Sequence, residues 1–288
     1  MIRIAMQKSG RLSEKSIALL NACGLDFNWS KNNLLSQATN FPLELMLVRD
    51  DDICEYVRKG ICELGILGEN MLAEGWREDG DNPIVERRLG FGKCRLSLAL
   101  PKTAVYSGAG DLEGKRIATS YPNVLRRFLL EKGVQAQISE ISGSVELAPT
   151  LGVAEAICDL VSTGSTLRAN NLREVQTVLA SESVLVKTPR ELSYEKAEVI
   201  RRLVSRVDGV QRADKNKYIM MNAPRAALPL IHDVLPGMDN PSIMQLDGAE
   251  EMVAVHAVCQ ENVFWETMEK LKAVGATSIL VVPIEKIL

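Results

Sequence analysis

The sequence is poor in the residues that build covalent or metal-dependent catalytic centres. Its 288 residues include two histidines and six cysteines, and no two cysteines form a C-x-x-C pair. Zinc sites and disulfide frameworks need closer spacing, so we expect buried, reduced thiols. Both histidines lie in apolar segments of the C-terminal third, which disfavours a Ser-His or Cys-His nucleophile system. The sequence therefore favours chemistry without a covalent enzyme intermediate.

The sequence also lacks the signals of three common classes of binding protein. Its formal net charge of -3 provides no basic field for nucleic acid. No apolar run approaches a membrane span, and the N-terminal MIRIAMQKSGRL has no apolar core of signal-peptide length. The phosphate loop G-x-x-x-x-G-K-[ST] is absent, which disfavours a Walker-type ATPase. We expect a cytoplasmic protein that binds neither nucleic acid nor a membrane.

The length and the order of predicted elements indicate more than one domain. A chain of 288 residues is too long for one small core and suits two or three domains. Strands and helices alternate, and polar loops follow the strand ends, where open α/β sheets bind ligands. We therefore expect these loops to face one crevice between two lobes. RRLGFGKCRLSLALP is predicted to cross between the lobes, and strands at 173–181 and 184–188 to return to the first lobe.

Some strand-end residues suit a bound anion. Lys8 and Arg11 follow the first predicted strand, and Arg95 lies on an otherwise apolar strand. These cations suit phosphate groups, but exposed cations beside a glycine are frequently ordinary surface residues. The acids at 50–52 begin a helix, where the helix dipole alone explains them.

The stretch ELAPTLGVAEAICDLVSTGSTL, residues 146–167, carries the clearest candidate binding site. A predicted strand, 156–161, ends in a polar turn that Gly164 allows to bend tightly, and Leu167 is predicted to open a helix. Converging backbone N–H groups and a helix N-terminus favour a phosphate here. Asp159 would repel that anion, so it better suits ribose hydroxyls or the waters of a magnesium ion. A polar loop with a helix cap explains the same residues equally well.

The C-terminal segment has a different plan. From residue 217 the predicted order is strand, helix, two strands, helix and strand, which is the βαββαβ order of a ferredoxin-like domain. Such domains commonly bind effectors or form oligomer contacts, but the fold alone establishes neither use.

The motif at 146–167 resembles, position for position, the signature of ATP phosphoribosyltransferase, the first enzyme of histidine biosynthesis. The matching positions are Glu146, Gly152, Ala154, Ile157, Asp159, Leu160, Thr163, Gly164, Thr166 and Leu167. QKSGRLS, VRDDDI, LGILGEN, CRLSLALP, KRIATSYPN, KYIMMNAP and FWETMEKLKAVGATSILVVPIEKIL also resemble the long-form enzyme. The resemblance covers essentially the whole chain.

This resemblance implies a pentosyl transfer. N1 of the adenine of ATP attacks C1 of phosphoribosyl pyrophosphate, with Mg²⁺ present, and gives N1-(5-phosphoribosyl)-ATP and pyrophosphate. This is the committed step of L-histidine biosynthesis, feedback-inhibited by L-histidine. Neutral N1 needs no strong general base, which agrees with the absence of catalytic histidine and cysteine. A single acid precedes the turn where other phosphoribosyltransferases often have two, so the magnesium ligands stay unknown.

The resemblance also implies site residues. Asp159, Arg11 and Arg95 would be catalytic. The implied substrate-binding residues are Ser162, Thr163, Gly164, Ser165, Thr166, Glu146, Lys8, Arg49, Glu69, Thr119, Ser120 and Tyr121. The implied histidine-binding residues are Met238, Ser242, Val258, Ala276 and Ser278.

The implied architecture is an α/β fold with a two-lobed, periplasmic-binding-protein-like catalytic region and a C-terminal ferredoxin-like (βαββαβ) regulatory domain. We expect catalytic lobe I at 1–98 and 187–212, lobe II with the phosphate loop at 99–186, and the regulatory domain at 213–288. Family members assemble as homodimers and homohexamers. Two other functions stay open: a two-lobed solute-binding protein, and a nucleotide-binding regulator without turnover.

Overall fold

The fold is described from a computed structural model, which describes residues 1–28, 33–78, 80–235, 241–260 and 264–288. The first elements are β1 (Ile2–Gln7), α1 (Arg11–Ala22), β2 (Leu35–Gln37), β3 (Leu43–Val48), α2 (Asp50–Arg58), β4 (Leu64–Gly68), α3 (Glu69–Glu74), β5 (Ile84–Arg88), β6 (Cys94–Pro101), β7 (Arg116–Thr119), α4 (Pro122–Lys132), β8 (Gln137–Glu140), β9 (Ala156–Val161) and α5 (Ser165–Ala169). Then follow β10 (Leu172–Ser181), β11 (Ser183–Lys187), α6 (Tyr194–Asp214), β12 (Asn216–Pro224), α7 (Leu228–Val234), β13 (Ser242–Leu246), β14 (Ala249–Gln260), α8 (Phe264–Ala273) and β15 (Thr277–Pro283).

These elements form two compact units, one of residues 1–18 and 25–200 and one of residues 19–24 and 201–288. The first unit contains two sheets and the second contains one. In the described part of the chain, no helix combines the length and the apolar character needed to cross a membrane.

The first sheet has the strand order β2-β3-β1-β4-β11-β5. β1 is parallel to β3 and β4, so the loops after these three strands lie at one edge of the sheet. β1, β3 and β4 are rich in fully buried aliphatic residues, as expected for parallel strands covered on both faces. Helix α2 packs its buried face, including Ile53 and Val57, against this sheet. We call this part of the chain lobe I.

The second sheet has the strand order β10-β6-β9-β7-β8. β7 is parallel to β8 and β9, while β6 is antiparallel to β9 and β10. Helix α4 covers one face with Leu125, Phe128 and Leu129. A second cluster, which includes Ile157, Val161 and Leu167, packs on the other side of β9 and fixes the loop that follows this strand. We call this part lobe II.

Strand pairing corrects two details of the predicted crossings. β10 was expected to return to lobe I, but it pairs with β6 in the second sheet, from Leu172 opposite Pro101 to Ser181 opposite Cys94. Only β11 returns, since it lies between β4 and β5 in the first sheet. The predicted lobe boundaries at 98/99 and 186/187 fall inside β6 and β11, so the chain changes sheets a few residues earlier at both crossings.

The second unit contains a four-stranded antiparallel sheet of order β13-β14-β12-β15. This order, with α7 between β12 and β13 and α8 between β14 and β15, is the predicted βαββαβ plan. Alternate residues of the central strands, such as Ile219, Met221, Val253 and Val255, are buried in one core with α7 and α8. α6 ends at Asp214, beyond the expected domain boundary at 212/213.

Candidate active site

The loop after β9 has the geometry of an anion cradle. Gly164 adopts φ 72°, a left-handed conformation that favours glycine, and α5 begins directly after it at Ser165, two residues before the predicted start. Thr163 Oγ1 lies 3.1 Å from Ser165 Oγ, and the Arg168 guanidinium donates to the Thr163 carbonyl at 3.1 Å. Ser162, Thr163, Ser165 and Thr166 are exposed. Their hydroxyl groups are therefore accessible to a ligand.

This loop forms one wall of a cleft of about 290 Å³. Arg11, at the first position of α1 in lobe I, lines the same cleft, and so do Glu146 and Asp159. Glu146 lies in a short 3₁₀ turn, Val145–Leu147, that packs against β9. The structure thus brings a cation, two carboxylates and the hydroxyl-rich loop together, although Arg11 and Asp159 are 148 residues apart in sequence.

Asp159 is a partly buried carboxyl group in this cleft. Burial raises its pKa, the nearby Glu146 carboxylate raises it further, and a hydrogen bond from the Leu160 N–H at 2.8 Å partly opposes both effects. A partly buried carboxylate beside another acid is stabilised by a cation or by hydroxyl donors. This environment suits ribose hydroxyls, or a divalent cation carried by a polyphosphate.

Arg95 lies beside the loop, but its guanidinium is already paired. Its Nε and Nη2 each donate to Glu174 at 2.5 Å, and Nη1 lies 3.4 Å from the Ser162 carbonyl oxygen. The fully buried Ser97 hydroxyl donates to Glu174 at 2.8 Å. The Arg95 side chain is 39% exposed and does not line the cleft. Arg95 is therefore a cation that Glu174 holds in a fixed orientation beside the loop and outside the cleft.

The predicted hydroxyl groups at the end of β7 bond within the protein. Thr119 is fully buried and donates to the Cys158 carbonyl at 2.7 Å, while its Oγ1 accepts the Tyr121 N–H at 2.9 Å. Ser120 donates to the Ile141 carbonyl at 2.6 Å. Both residues fix the shape of the loop that carries Tyr121. The structure does not bring their hydroxyls into the cleft beside β9.

Tyr121 directly follows this loop at the start of α4 and lines neither the cleft beside β9 nor the cleft of lobe I. Its hydroxyl accepts a hydrogen bond from Asn70 Nδ2 at 3.1 Å. Burial raises the pKa of Tyr121 to about 12, and the carboxylates of Asp159 and Asp50 add to that shift. The hydroxyl is therefore neutral at pH 7 and can donate its proton.

The second cleft, of about 710 Å³, follows the strand ends of lobe I. Lys8 and Arg49 supply positive charge, Tyr56 an aromatic ring, and the acids at 50–52 negative charge. Burial and the neighbouring Asp51 raise the pKa of Asp50, whose Oδ1 is buried without a hydrogen-bond partner. This cleft has the groups needed for a larger ligand with both a ring and an anionic part.

Glu69 lies apart from both clefts. Its carboxylate pairs with Arg88 at 2.6 Å and accepts the Glu182 N–H at 3.3 Å. The structure therefore places Glu69 at the crossing between the lobes. Within the described residues, no group of three or more His, Cys, Asp or Glu side chains could hold a metal ion.

Two protein-family models match this chain. A model described as ATP phosphoribosyltransferase (HisG) matches residues 49–209, and one described as "HisG, C-terminal domain" matches residues 213–286. The chain belongs to the ATP phosphoribosyltransferase family. It is a transferase of histidine biosynthesis, and the presence of both regions fits the long form. The predicted resemblance and the predicted enzyme class are confirmed.

Solved structures support the fold. A chain of the ATP phosphoribosyl transferase (HisG:HisZ) complex from Thermotoga maritima is 28% identical, with a TM-score of 0.61, over 72% of this chain and 99% of that chain. A histidine kinase sensor domain with similarity to periplasmic binding proteins is 12% identical, with a TM-score of 0.50, over 74% and 91% of the two chains. With the antiparallel C-terminal sheet, these findings confirm the predicted fold class.

The residues implied as the histidine site of this phosphoribosyltransferase differ from one another in how exposed they are. Ser242 on β13 is exposed opposite His256, and Val258 on β14 is half-buried opposite Tyr218. Tyr218 OH lies 2.9 Å from His256 Nδ1. Ala276 is buried in the core, and Ser278 is exposed with a positive φ of 48°. Met238 lies outside the described residues.

Sequence reasoning missed the residues that hold the site residues in place. Glu174 and Ser97 orient Arg95, and Asn70 orients Tyr121. Asn70 lies in the first turn of α3, two residues after the end of β4, and this position at a strand end is a usable signal. Glu174 has none, because its role depends on antiparallel pairing with a strand more than 70 residues earlier.

Proposed function

We propose that this phosphoribosyltransferase transfers the phosphoribosyl group of phosphoribosyl pyrophosphate to N1 of ATP, and that L-histidine inhibits it. The products are N1-(5-phosphoribosyl)-ATP and pyrophosphate, in the committed step of L-histidine biosynthesis. The observation that carries the proposal is the cleft in which Arg11, Glu146 and Asp159 meet the loop 162–166. This arrangement offers a phosphate cradle, carboxylates for a ribose and a cation for a leaving group in one place.

In this proposal the loop binds the 5-phosphate. Its hydroxyls and backbone N–H groups donate to phosphate oxygens. Asp159 accepts hydrogen bonds from the ribose hydroxyls and favours the positive charge that develops at C1. Glu146 lines the same cleft and takes part in ribose binding. Arg11 neutralises charge on the departing pyrophosphate, while Arg95, which pairs with Glu174 and lies outside the cleft, acts through the loop beside it.

The cleft of lobe I is proposed to receive ATP. Lys8 and Arg49 would contact its phosphates or the pyrophosphate, while Tyr56 and the apolar residues beside it offer a surface for the adenine. The Tyr121 hydroxyl, whose pKa is raised to about 12 mainly by burial, can donate its proton to a substrate oxygen. Catalysis then rests on positioning two reactants. Glu69, Thr119 and Ser120 would act indirectly, through the loop and the lobe crossing that they hold.

The residues present fit Mg²⁺. Mg²⁺ prefers oxygen ligands and is usually held by one or two carboxylates together with substrate phosphates and water. Asp159 and Glu146 are two neighbouring carboxylates in a cleft lined with hydroxyls, and a bound cation would offset the repulsion between them. When bound, Mg²⁺ would neutralise charge on pyrophosphate.

The domain assignment is proposed as lobe I, lobe II and a regulatory domain at 213–288, with the lobe crossings moved to the residues between β5 and β6 and between β10 and β11. Ser242, Val258, Ala276, Ser278 and Met238 remain the proposed histidine site. We further propose a cytoplasmic homodimer or homohexamer. Membership of the family supports these proposals.

The decisive experiment is an ultraviolet absorbance assay with ATP, phosphoribosyl pyrophosphate and Mg²⁺, with pyrophosphatase to remove product. We expect a signal that needs both substrates and falls with L-histidine. Binding without product would favour a non-catalytic regulator, and capture of a small anion alone would favour a solute-binding protein. Turnover that histidine leaves unchanged would contradict the regulatory part of the proposal.

Replacement of Gly164 by alanine should weaken phosphoribosyl pyrophosphate binding. The left-handed φ of 72° costs a non-glycine residue roughly 1–2 kcal/mol, and the added Cβ would lie 3.2 Å from Arg168 Nη1. We expect the KM for phosphoribosyl pyrophosphate to rise about tenfold, which corresponds to about 1.4 kcal/mol. Steady-state kinetics measure this effect.

Gly152→Ala is the matched control. Gly152 has a similar φ of 69°, lies in the same motif and has open space around its Cβ position. It should lose comparable stability while its KM stays near the wild-type value. Equal KM values for both variants would show that the conformation of the Gly164 loop has no specific effect on phosphate binding.

A further inference from the structure

Helices α3 and α4 cap each other across the two lobes. The Glu74 carboxylate, at the end of α3 in lobe I, accepts the N–H groups of Asn123 and Val124, at the start of α4 in lobe II, both at 2.9 Å. In return, the Asn123 side chain donates to the Glu74 carbonyl at 3.1 Å, and the Arg127 guanidinium donates to the Ala73 carbonyl. Each helix end thus has free backbone groups satisfied by the other lobe.

The sequence of α4 explains why it uses an external cap. Tyr121 occupies the N-cap position and makes no side-chain capping bond, and Pro122 at the first position has no N–H. The next two N–H groups are the ones that Glu74 binds. A carboxylate is also favoured there by the helix dipole. Glu74 therefore caps the N-terminus of α4, a role that a serine or aspartate at the start of the helix itself usually has.

The same two helices hold Tyr121. Asn70, in the first turn of α3, donates to the Tyr121 hydroxyl, and Tyr121 directly precedes α4. Ser181, at the end of β10, donates to Asn70 Oδ1 at 2.9 Å, and its Oγ accepts the Asn70 N–H at 3.0 Å. Asn70 and Ser181 are both buried. The backbone of Tyr121 is thus fixed through Glu74, and its hydroxyl through Asn70.

We propose that Glu74 is a positioning residue for phosphoribosyl transfer, because its cap on α4 sets the separation of the lobes and the placement of Tyr121. The inference rests on the proposed function, which assigns Tyr121 to substrate binding. A displacement of about 1 Å can lower a rate by about 10²-fold. Glu74 lines neither cleft, so its effect on the reaction is indirect.

The kinetic experiment compares Glu74→Ala, Glu74→Ala/Asn123→Asp and Glu131→Ala. The second substitution of the double variant restores negative charge to the first turn of α4, which stabilises that helix. It also removes the Asn123 amide that donates to the Glu74 carbonyl, so it cannot join the lobes. Glu131 is an exposed α4 carboxylate paired only with the adjacent Lys132 among the ion pairs described, so its removal is the control. We expect kcat to fall about 10- to 100-fold in both Glu74 variants, while the double variant recovers thermal stability.

The result that would overturn the proposal is recovery of kcat together with stability in the double variant, because Glu74 would then only stabilise α4. Glu131→Ala should retain the wild-type kcat. A fall in kcat of similar size in that control would also count against a specific role for Glu74.

A distance measurement tests the role of Glu74 without relying on transferase activity. Spin labels at Ile61→Cys and Leu130→Cys, both exposed and on different lobes, report the lobe separation by pulsed electron paramagnetic resonance. Cys94, the one half-buried native thiol among six free cysteines, is replaced by serine in all samples. Glu74→Ala should broaden or shift the distance distribution even if the protein has no transferase activity. An unchanged distribution would overturn the inference.

Discussion

Asp159→Asn is expected to unfold at a higher temperature than the wild-type protein and to turn over about 10²- to 10³-fold more slowly, as for loss of one preorganised electrostatic group. Burial and Glu146 disfavour the charged form of Asp159 when no ligand is bound. Asparagine keeps the shape and removes the charge, so the unfolding free energy should rise by about 0.5–2 kcal/mol. Thermal unfolding at pH 7 and steady-state kinetics measure the two effects.

The pH dependence follows from the direction of the shift. The pKa of Asp159 is raised on folding, so between the unfolded and folded pKa values the folded protein binds more protons than the unfolded chain. The contribution of this residue to stability therefore falls as pH rises through that window. Activity should show the opposite trend, because the ionised form binds the ribose hydroxyls. The acidic limb of the kcat/KM profile should lie above the ordinary range for aspartate and should be absent in Asp159→Asn.

Glu155 provides a control of opposite sign. The Arg116 guanidinium and backbone lower its pKa to about 2, so its charge favours the folded state and is lost only in strong acid. Glu155→Gln should therefore retain activity and gain no stability at pH 7. Wild-type turnover in Asp159→Asn would remove Asp159 from the active site, and an unchanged melting temperature would contradict the account of its environment.

Local patterns predicted the parts of the site that depend on neighbouring residues. Gly164 bends the loop as its position between a strand and a helix indicated, and Asp159 lines the same cleft. Arg11 follows β1 in the other sheet, and it lines this cleft as expected if the strand-end loops of both lobes face one crevice. The C-terminal strand order also followed from the sequence, since a βαββαβ unit has few ways to bury one face of each strand.

Pairing over long sequence distances could not be predicted. The partner of β10, β6, could not be read from the sequence, so the strand pattern alone placed β10 in lobe I, although the boundaries implied by the resemblance, 99–186, already included it in lobe II. The same limit applies to Thr119, whose hydroxyl suits phosphate binding until β9 offers a buried carbonyl for it to bond. It applies also to Glu74, a helix-terminal glutamate that gains a role only when α4 lies opposite. These residues act through contacts that composition and periodicity do not encode.

The second large effect concerns L-histidine. Ser242→Ala and Ser278→Ala each remove an exposed hydroxyl from the proposed effector site, without disturbing the buried core of that unit. A hydrogen bond to a charged group contributes about 1.5–3 kcal/mol, so the histidine concentration for half inhibition should rise about 10- to 100-fold in each variant. The ultraviolet assay measures this rise, and kcat without histidine should stay near the wild-type value.

Ser205→Ala, on the exposed face of α6, is the matched control and should leave inhibition unchanged. Deletion of residues 213–288 is the stronger variant, and it should abolish inhibition completely if the remaining chain retains turnover. Linkage adds a second measurement: if histidine weakens ATP binding, ATP must weaken histidine binding by the same factor. Wild-type inhibition in both serine variants and in the truncated enzyme would place the effector site outside the C-terminal domain.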